Sequence, residues 1–270
     1  MIGSIKNGTL TLGDARMDYI RFGRGAGTLV ILPGLGDGLR TVKGTALPMA
    51  LMYRLFAKDF TVYAFSRKDP LPEGYTTRDM ARDQADAMDL LGIAKADILG
   101  VSMGGMIAQW LAIDFPDKVG NLVLTVTCAR PNALLRESLE EWTALAEQGD
   151  HGGFMKSNLL RIYSQAYCRK NMWLAPVIGR LTKPESYDRF FTQAAACLSH
   201  DAFDVLGRIG APTLVIGGEE DKTLGGDASR ELAAAILGAR LLMYPQWGHG
   251  LYEEAKDFNE RVLSFLKGRT

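Results

Sequence analysis

Apolar and polar residues alternate over Thr9 to Leu12 and again over Met17 to Phe22, on either side of Gly13-Asp14, which predicts an opening β-hairpin. The later apolar runs hardly alternate. Leu29 to Leu32, Thr61 to Phe65, Ala96 to Leu99, Leu122 to Val126, Thr213 to Ile216 and Leu241 to Tyr244 are short and nearly continuous, as strands covered on both faces are. Helical spacing fills the gaps. It runs from about Ala46 to Lys58, from the N-cap signal Thr76-Thr77-Arg78-Asp79 to Gly92, over Gly105 to Ile113, and from about Glu253 to Leu266. Strands and helices in alternation predict an α/β domain: a mostly parallel sheet of about eight strands with helices on both faces.

One stretch departs from this rhythm. From about Pro131 to Leu206 the chain reads as several helices without a convincing strand, which predicts a helical lid at 131–206 inserted into a core made of 1–130 and 207–270. Trp142, Phe154, Met155, Tyr163, Tyr167, Met172, Trp173, Phe190 and Phe191 lie in it. Most are expected to pack the lid onto the core, and a minority to bound an apolar pocket.

The chemistry begins at Gly100-Val101-Ser102-Met103-Gly104, placed between a strand-like run and a helix-like one. In a chain with 30 glycines a G-x-S-x-G string is a weak signal. Its position carries the weight, because a serine forced into a tight strand-to-helix turn has its hydroxyl lifted clear of the sheet. A nucleophilic serine needs a base, and the chain has only three histidines. His249 lies in the glycine-flanked turn Trp247-Gly248-His249-Gly250, which can present an imidazole at the sheet's edge. His151 and His200 are expected to be a solvated turn residue and a helix-start residue. Glu219, Glu220 and Asp221, just after a strand, compete for the role of the acid that orients the imidazole. Asp221, furthest past the strand end, is favoured. Two backbone N–H groups could hold a developing oxyanion: Met103, directly after the nucleophile, and Leu35, in the loop Pro33-Gly34-Leu35-Gly36-Asp37-Gly38. That loop is neither G-x-G-x-x-G nor a Walker sequence, which disfavours nucleotide binding.

These segments, Leu32-Pro33-Gly34-Leu35-Gly36, Gly100-Val101-Ser102-Met103-Gly104-Gly105, Gly218-Glu219-Glu220-Asp221 and Trp247-Gly248-His249-Gly250, together resemble an α/β-hydrolase-fold serine hydrolase over nearly the whole chain. The resemblance implies Ser102 as nucleophile, His249 as general base, Asp221 as orienting acid, and Leu35 and Met103 as oxyanion donors. Two departures stand at the mouth of the site. Many members carry His-Gly where this chain has Pro33-Gly34, and many carry Arg-Gly-His-Gly-x-Ser where it reads Phe65-Ser66-Arg67-Lys68-Asp69-Pro70.

Composition narrows the picture further. Formal net charge is +0, from 31 basic and 31 acidic residues, so no basic excess points to nucleic acid. Cys128, Cys168 and Cys197 are odd in number and widely spaced, which argues against a disulfide framework or a zinc cluster and for thiols in a reducing compartment. Met1 to Gly8 lacks a continuous apolar run and no segment approaches ~18 uninterrupted apolar residues, so a soluble cytoplasmic protein without a membrane partner is expected. The expected function is hydrolysis of a small or medium, largely apolar ester, lactone or thioester through an acyl-enzyme, with a small-molecule substrate and neither cofactor nor metal. Alternatives are carbon–carbon bond hydrolysis, perhydrolysis or acyl transfer by the same residues, and a non-catalytic small-molecule receptor. A dehalogenase is disfavoured because its nucleophile is a carboxylate.

Overall fold

The computed structural model describes residues 3–174, 179 and 183–268. Its eight-stranded sheet is built from β1 (Lys6–Leu12), β2 (Ala15–Gly23), β3 (Gly27–Leu32), β4 (Phe60–Phe65), β5 (Ala96–Val101), β6 (Val119–Thr125), β7 (Thr213–Gly218) and β8 (Arg240–Tyr244), in the spatial order β1-β2-β4-β3-β5-β6-β7-β8. β1 and β2 form the expected hairpin, and β2 meets β4 antiparallel. From β4 to β8 every neighbour is parallel.

Why the inner strands read as continuous apolar runs is visible in the core. Period two still operates, but both faces are dry. Val30 and Leu32 of β3, Ile98 of β5, Leu122 and Leu124 of β6 and Val215 of β7 face one apolar layer. Leu29, Ile31, Leu99, Val123, Leu214 and Ile216 face the other. The first layer is closed by α2 (Thr77–Leu90), α3 (Met103–Asp114) and, further along the chain, the helix Gly226–Ala235. The second is closed by α1 (Ala46–Met52) and the C-terminal helix Phe258–Leu266.

Local chemistry sets the helix ends. Thr76 Oγ1 accepts from the Asp79 N–H at 3.1 Å and the Asp79 carboxylate accepts from the Thr76 N–H at 3.0 Å, a reciprocal capping box that starts α2. Gly92, at φ +68°, ends it. Two expected helices are shorter than their spacing suggests. The apolar periodicity from Ala46 carries an α-helix only to Met52 and continues as a 3-10 turn at Phe56–Lys58. The final segment divides into α9 (Leu251–Glu254) and α10 (Phe258–Leu266), because Ala255 leaves the helical region at ψ 112° and Asp257 starts again, its carboxylate accepting from Tyr244 Oη at 3.1 Å.

Between β6 and β7 the described residues hold helices α4 (Ala133–Glu147), α5 (His151–Ile162), α6 (Gln165–Asn171) and α7 (Asp188–Leu198) and no strand. The expected segment 131–206 includes 175–178 and 180–182, which lie outside the described residues, as do Met1 and Ile2. After β7 comes α8 (Gly226–Ala235), completing the numbering. No described helix is long and apolar enough to cross a membrane.

The strand order locates the site. From β3 the chain moves to β4 on one side and then crosses to β5 on the other. The loops leaving the carboxyl ends of β3 and β5 therefore diverge and open a crevice at this switch point. Those loops begin at Pro33 and Ser102.

Candidate active site

Ser102 has φ 54° and ψ −121°, a region that non-glycine residues rarely occupy and that costs roughly 1–3 kcal/mol. Its N–H donates to the Thr125 carbonyl of β6 at 2.9 Å, which holds the turn to the sheet. The next residue of that neighbouring strand, Val126, also has positive φ, at 44°. Close approach explains the two glycines of the motif. A Cβ on Gly100 would lie 2.6 Å from Gly105 Cα, and one on Gly104 would lie 1.9 Å from the Leu32 carbonyl oxygen. α3 can thus press directly onto the sheet, and the turn before it must be sharp.

His249 and Asp221 arrive from the loops after β8 and β7. The Glu220 N–H donates to the Trp247 carbonyl at 3.1 Å, and the Gly250 N–H donates to the Ile162 carbonyl at the end of α5 at 2.6 Å, so the histidine turn is held from both sides. His249 Nδ1 lies 2.8 Å from Asp221 Oδ2, and Nε2 lies 3.0 Å from Ser102 Oγ. A carboxylate on Nδ1 places the ring proton there and leaves Nε2 to accept from the serine hydroxyl. The other Asp221 oxygen accepts from the Thr223 and Leu224 N–H groups at 2.8 and 2.9 Å, which fixes the carboxylate. Asp221 and His249 are buried. Glu219 and Glu220 are exposed, and Glu219 pairs with Arg230 instead.

Leu35 and Met103 each open a helical turn, Leu35–Gly38 and α3, where the first N–H has no partner within the turn. Both residues line the same cavity as Ser102 and His249. Gly34 lies against the serine: a Cβ there would be 3.3 Å from Ser102 Cβ and 3.8 Å from Oγ. Behind this loop Arg67, fully buried, donates from Nη2 to the Pro33 carbonyl at 2.5 Å. Burial pulls its guanidinium below the ordinary arginine range, and the Asp37 carboxylate opposes that shift.

The cavity measures about 420 Å³. On its helical side Leu135, Leu139, Trp142, Phe154, Ile162 and Phe190 present apolar surface. Of the aromatic and methionine residues expected in 131–206, Trp142, Phe154, Tyr163 and Phe190 line it, whereas Met155, Tyr167, Met172, Trp173 and Phe191 do not; Trp173 is 73% exposed. The opposite wall is more polar, with Arg40, Thr45, Tyr53, Tyr252 and Glu253. Glu253 accepts from Tyr163 Oη at 3.0 Å.

Of the other two histidines, His151 is not the solvated turn residue expected, and His200, expected at a helix start, lies in the interior. His151 is buried in α5, its Nδ1 2.6 Å from Tyr187 Oη and its ring stacked on Phe154. His200 is buried with Nδ1 2.9 Å from Thr77 Oγ1, and desolvation lowers its pKa to about 4. Polar neighbours from distant segments make these interior positions tolerable. All three cysteines are buried and unpaired with one another, and Cys197 lines the cavity, its thiol pushed up to about 12 by burial. Asp37, Arg67 and Arg189 went unnoticed as a group in the sequence. Asp37 and Arg67 stand in loops the motifs had marked, whereas nothing in the sequence singles out Arg189.

Residues 27–166 match the family model described as alpha/beta hydrolase fold. The chain is 27% identical over 266 residues to the 2-hydroxy-6-oxononadienedioate/2-hydroxy-6-oxononatrienedioate hydrolase of Paraburkholderia xenovorans strain LB400, covering 94% of this chain and 91% of that protein. Among solved structures it is similar to the enol-lactonase from Burkholderia xenovorans LB400, with a TM-score of 0.82 at 23% identity over 96% of this chain and 100% of the other. A meta-cleavage product hydrolase from Pseudomonas fluorescens IP01 matches with a TM-score of 0.80 at 21% identity, over 100% and 99% of the two chains. At such identities the two structures speak for the fold alone. With the family model spanning more than half of its residues and the sheet order, crevice and serine turn in place, the chain belongs to the α/β-hydrolase fold family and is an enzyme of that family.

Proposed function

We propose that the protein is a cytoplasmic serine hydrolase that cleaves a small or medium, largely apolar carboxylic ester, lactone or thioester through an acyl-enzyme. The observation that carries this reading is the continuous chain of hydrogen bonds from Asp221 through His249 to Ser102, opening on an apolar cavity of about 420 Å³. Ser102 Oγ attacks the substrate carbonyl while His249 Nε2 takes its proton, and the Asp221 carboxylate stabilises the imidazolium. The carbonyl oxygen becomes an oxyanion held by the Leu35 and Met103 N–H groups. Collapse expels the alcohol or thiol, which receives the proton from His249. Water, deprotonated by the same nitrogen, then attacks the acyl carbon and releases the acid and Ser102. Residues 131–206 act as a lid over a core of 1–130 and 207–270 and set the shape of the acyl pocket.

The alternative is carbon–carbon bond hydrolysis, here of a dicarboxylate such as the dienedioate in the name of the Paraburkholderia relative. Charge at the cavity favours the ester. Among the described residues that line it, Arg40 is the only lysine or arginine, and Glu253 stands on the same wall. A dianion would meet one cation and two acids in the cavity lining, Asp37 and Glu253, the first of them paired with Arg189.

A screen of p-nitrophenyl esters from acetate to laurate, with a panel of lactones, tests the reading beside Ser102→Ala. Serine-dependent turnover that peaks at short or medium acyl chains is expected. Activity confined to carbon–carbon cleavage of dicarboxylates would replace the ester reading with its alternative.

A further inference from the structure

A single guanidinium ties α7 to the turn that carries the Leu35 N–H. Arg189, the second residue of α7, donates from Nε to the Asp37 carbonyl at 3.1 Å and from Nη2 to Asp37 Oδ2 at 2.6 Å. Its Nη2 also reaches the Arg67 carbonyl at 2.8 Å, and Nη1 reaches the Lys68 carbonyl at 2.6 Å. One side chain thus joins the loop after β3, the loop after β4 and a helix more than a hundred residues further on. Asp37 Oδ2 collects two further donors, the Arg67 N–H and Gln193 Nε2, each at 3.2 Å. Its side chain is 1% exposed and that of Arg189 14%. α7 also touches the turn itself, since a Cβ on Gly38 would lie 2.9 Å from Phe190 Cα.

The turn is short. The Asp37 N–H donates to the Gly34 carbonyl at 3.3 Å, so Gly34 to Asp37 close one hydrogen-bonded turn, with Gly34 against Ser102 at one end and Asp37 in the arginine's grip at the other. Arg67 holds the preceding carbonyl, that of Pro33. A planar fork fixes direction as well as distance, which a flexible ammonium does not. Such an expensive buried pair is tolerated where it specifies geometry.

We propose that Arg189, acting through Asp37, is a positioning residue that aims the Leu35 N–H at the oxyanion, so that the segment between β6 and β7 contributes to catalysis as well as to pocket shape. The inference rests on the acyl-enzyme reading above.

The test compares wild type with Arg189→Met, Arg189→Lys and Asp37→Asn on the best ester of the screen. Rates are normalised to Ser102 titrated with a fluorophosphonate, so unfolded protein does not count. Loss of a single oxyanion donor costs about 10²–10³ in rate, and misplacing one costs less. Arg189→Met is expected to lower kcat by about 10–100-fold with KM within about threefold, and to weaken a tetrahedral alkylboronic acid adduct in proportion while leaving affinity for the carboxylic-acid product unchanged. Arg189→Lys should fall between the two, and Asp37→Asn should move in the same direction. A merely structural role would lower the titratable fraction and Tm but leave kcat per titrated serine alone. The proposal is overturned if that kcat stays within about threefold of wild type in Arg189→Met, or in Asp37→Asn where the methionine variant does not fold. It is also overturned if kcat falls while boronate affinity does not. Failure of the acyl-enzyme reading itself looks different: Ser102→Ala would then retain turnover.

Discussion

Asp221, Glu219 and Glu220 stand side by side in the chain, yet only one can face an imidazole, because the loop after β7 turns over the sheet only at the third position. Distance past the strand end is what separates Asp221, the neighbour of His249, from the two glutamates. An amide at that position can hold the ring but favours the wrong tautomer, so Asp221→Asn should lower kcat by about 10⁴-fold with little change in KM. Glu219→Gln and Glu220→Gln should stay within about threefold, because the first pairs with Arg230 and both are solvent-exposed. Steady-state kinetics of the three variants decide the assignment, and an inactive Glu220→Gln beside an active Asp221→Asn would overturn it. His200 offers a residue-scale test of a different kind. Its folded pKa of about 4 lies below the ordinary 6.5, so the unfolded chain takes up a proton first as pH falls. The stability this neutral ring contributes is complete above pH 6.5, declines between 6.5 and about 4, and is lost below, a difference of about 3 kcal/mol at most. Urea titrations between pH 7 and 4 should show a shallower decline in His200→Gln than in wild type; equal slopes would contradict the assignment. Burial of His200 was invisible in the chain, because its partners Thr77 and Gln109 come from two helices distant in sequence.

At the scale of elements, strands were legible where both faces are covered, since nothing but an apolar run can cross a dry sheet. The capping box at Thr76 and the stop at Gly92 were legible because both are local chemistry. What failed was continuity. The helical periodicity after Ala46 and after Glu253 persists across the breaks at Tyr53 and Ala255, where the backbone leaves the helical region. α3 is the element on which the site most depends, and its contact with β3 runs through Gly104 without a side chain between. Gly104→Ala places a methyl group 1.9 Å from the Leu32 carbonyl and should cost more than about 2 kcal/mol, read as a lower denaturation midpoint at unchanged m. A variant as stable as wild type would mean that helix and sheet can separate without penalty.

For the whole molecule, the alternation of elements pointed to the correct class of sheet, but not to its order. The switch between β3 and β5, which puts the Pro33 and Ser102 loops on one crevice, exists only in three dimensions. The same holds for the pocket, where Trp142, Phe154, Tyr163 and Phe190 line the cavity and other aromatic residues of 131–206 do not, although nothing in their spacing separates the two groups. Truncating the first kind should change specificity while truncating the second should not. Trp142→Phe and Phe154→Leu should shift the preferred acyl chain by a methylene or more, a graded effect of ~1–3 kcal/mol in kcat/KM, and Trp173→Ala should leave the profile unchanged. If all three variants kept the wild-type profile across the ester series, the specificity pocket would lie instead on the Arg40 to Tyr53 wall. The proposed mechanism turns on a single reacting atom, Ser102 Oγ. Labelling with a fluorophosphonate, followed by peptide mapping and turnover of the best ester, tests it most directly: wild type should carry one label, on Ser102, and Ser102→Ala should carry none and lose about 10⁴-fold or more in kcat. A label on another residue, or more than about a tenth of wild-type turnover in Ser102→Ala, would contradict the account.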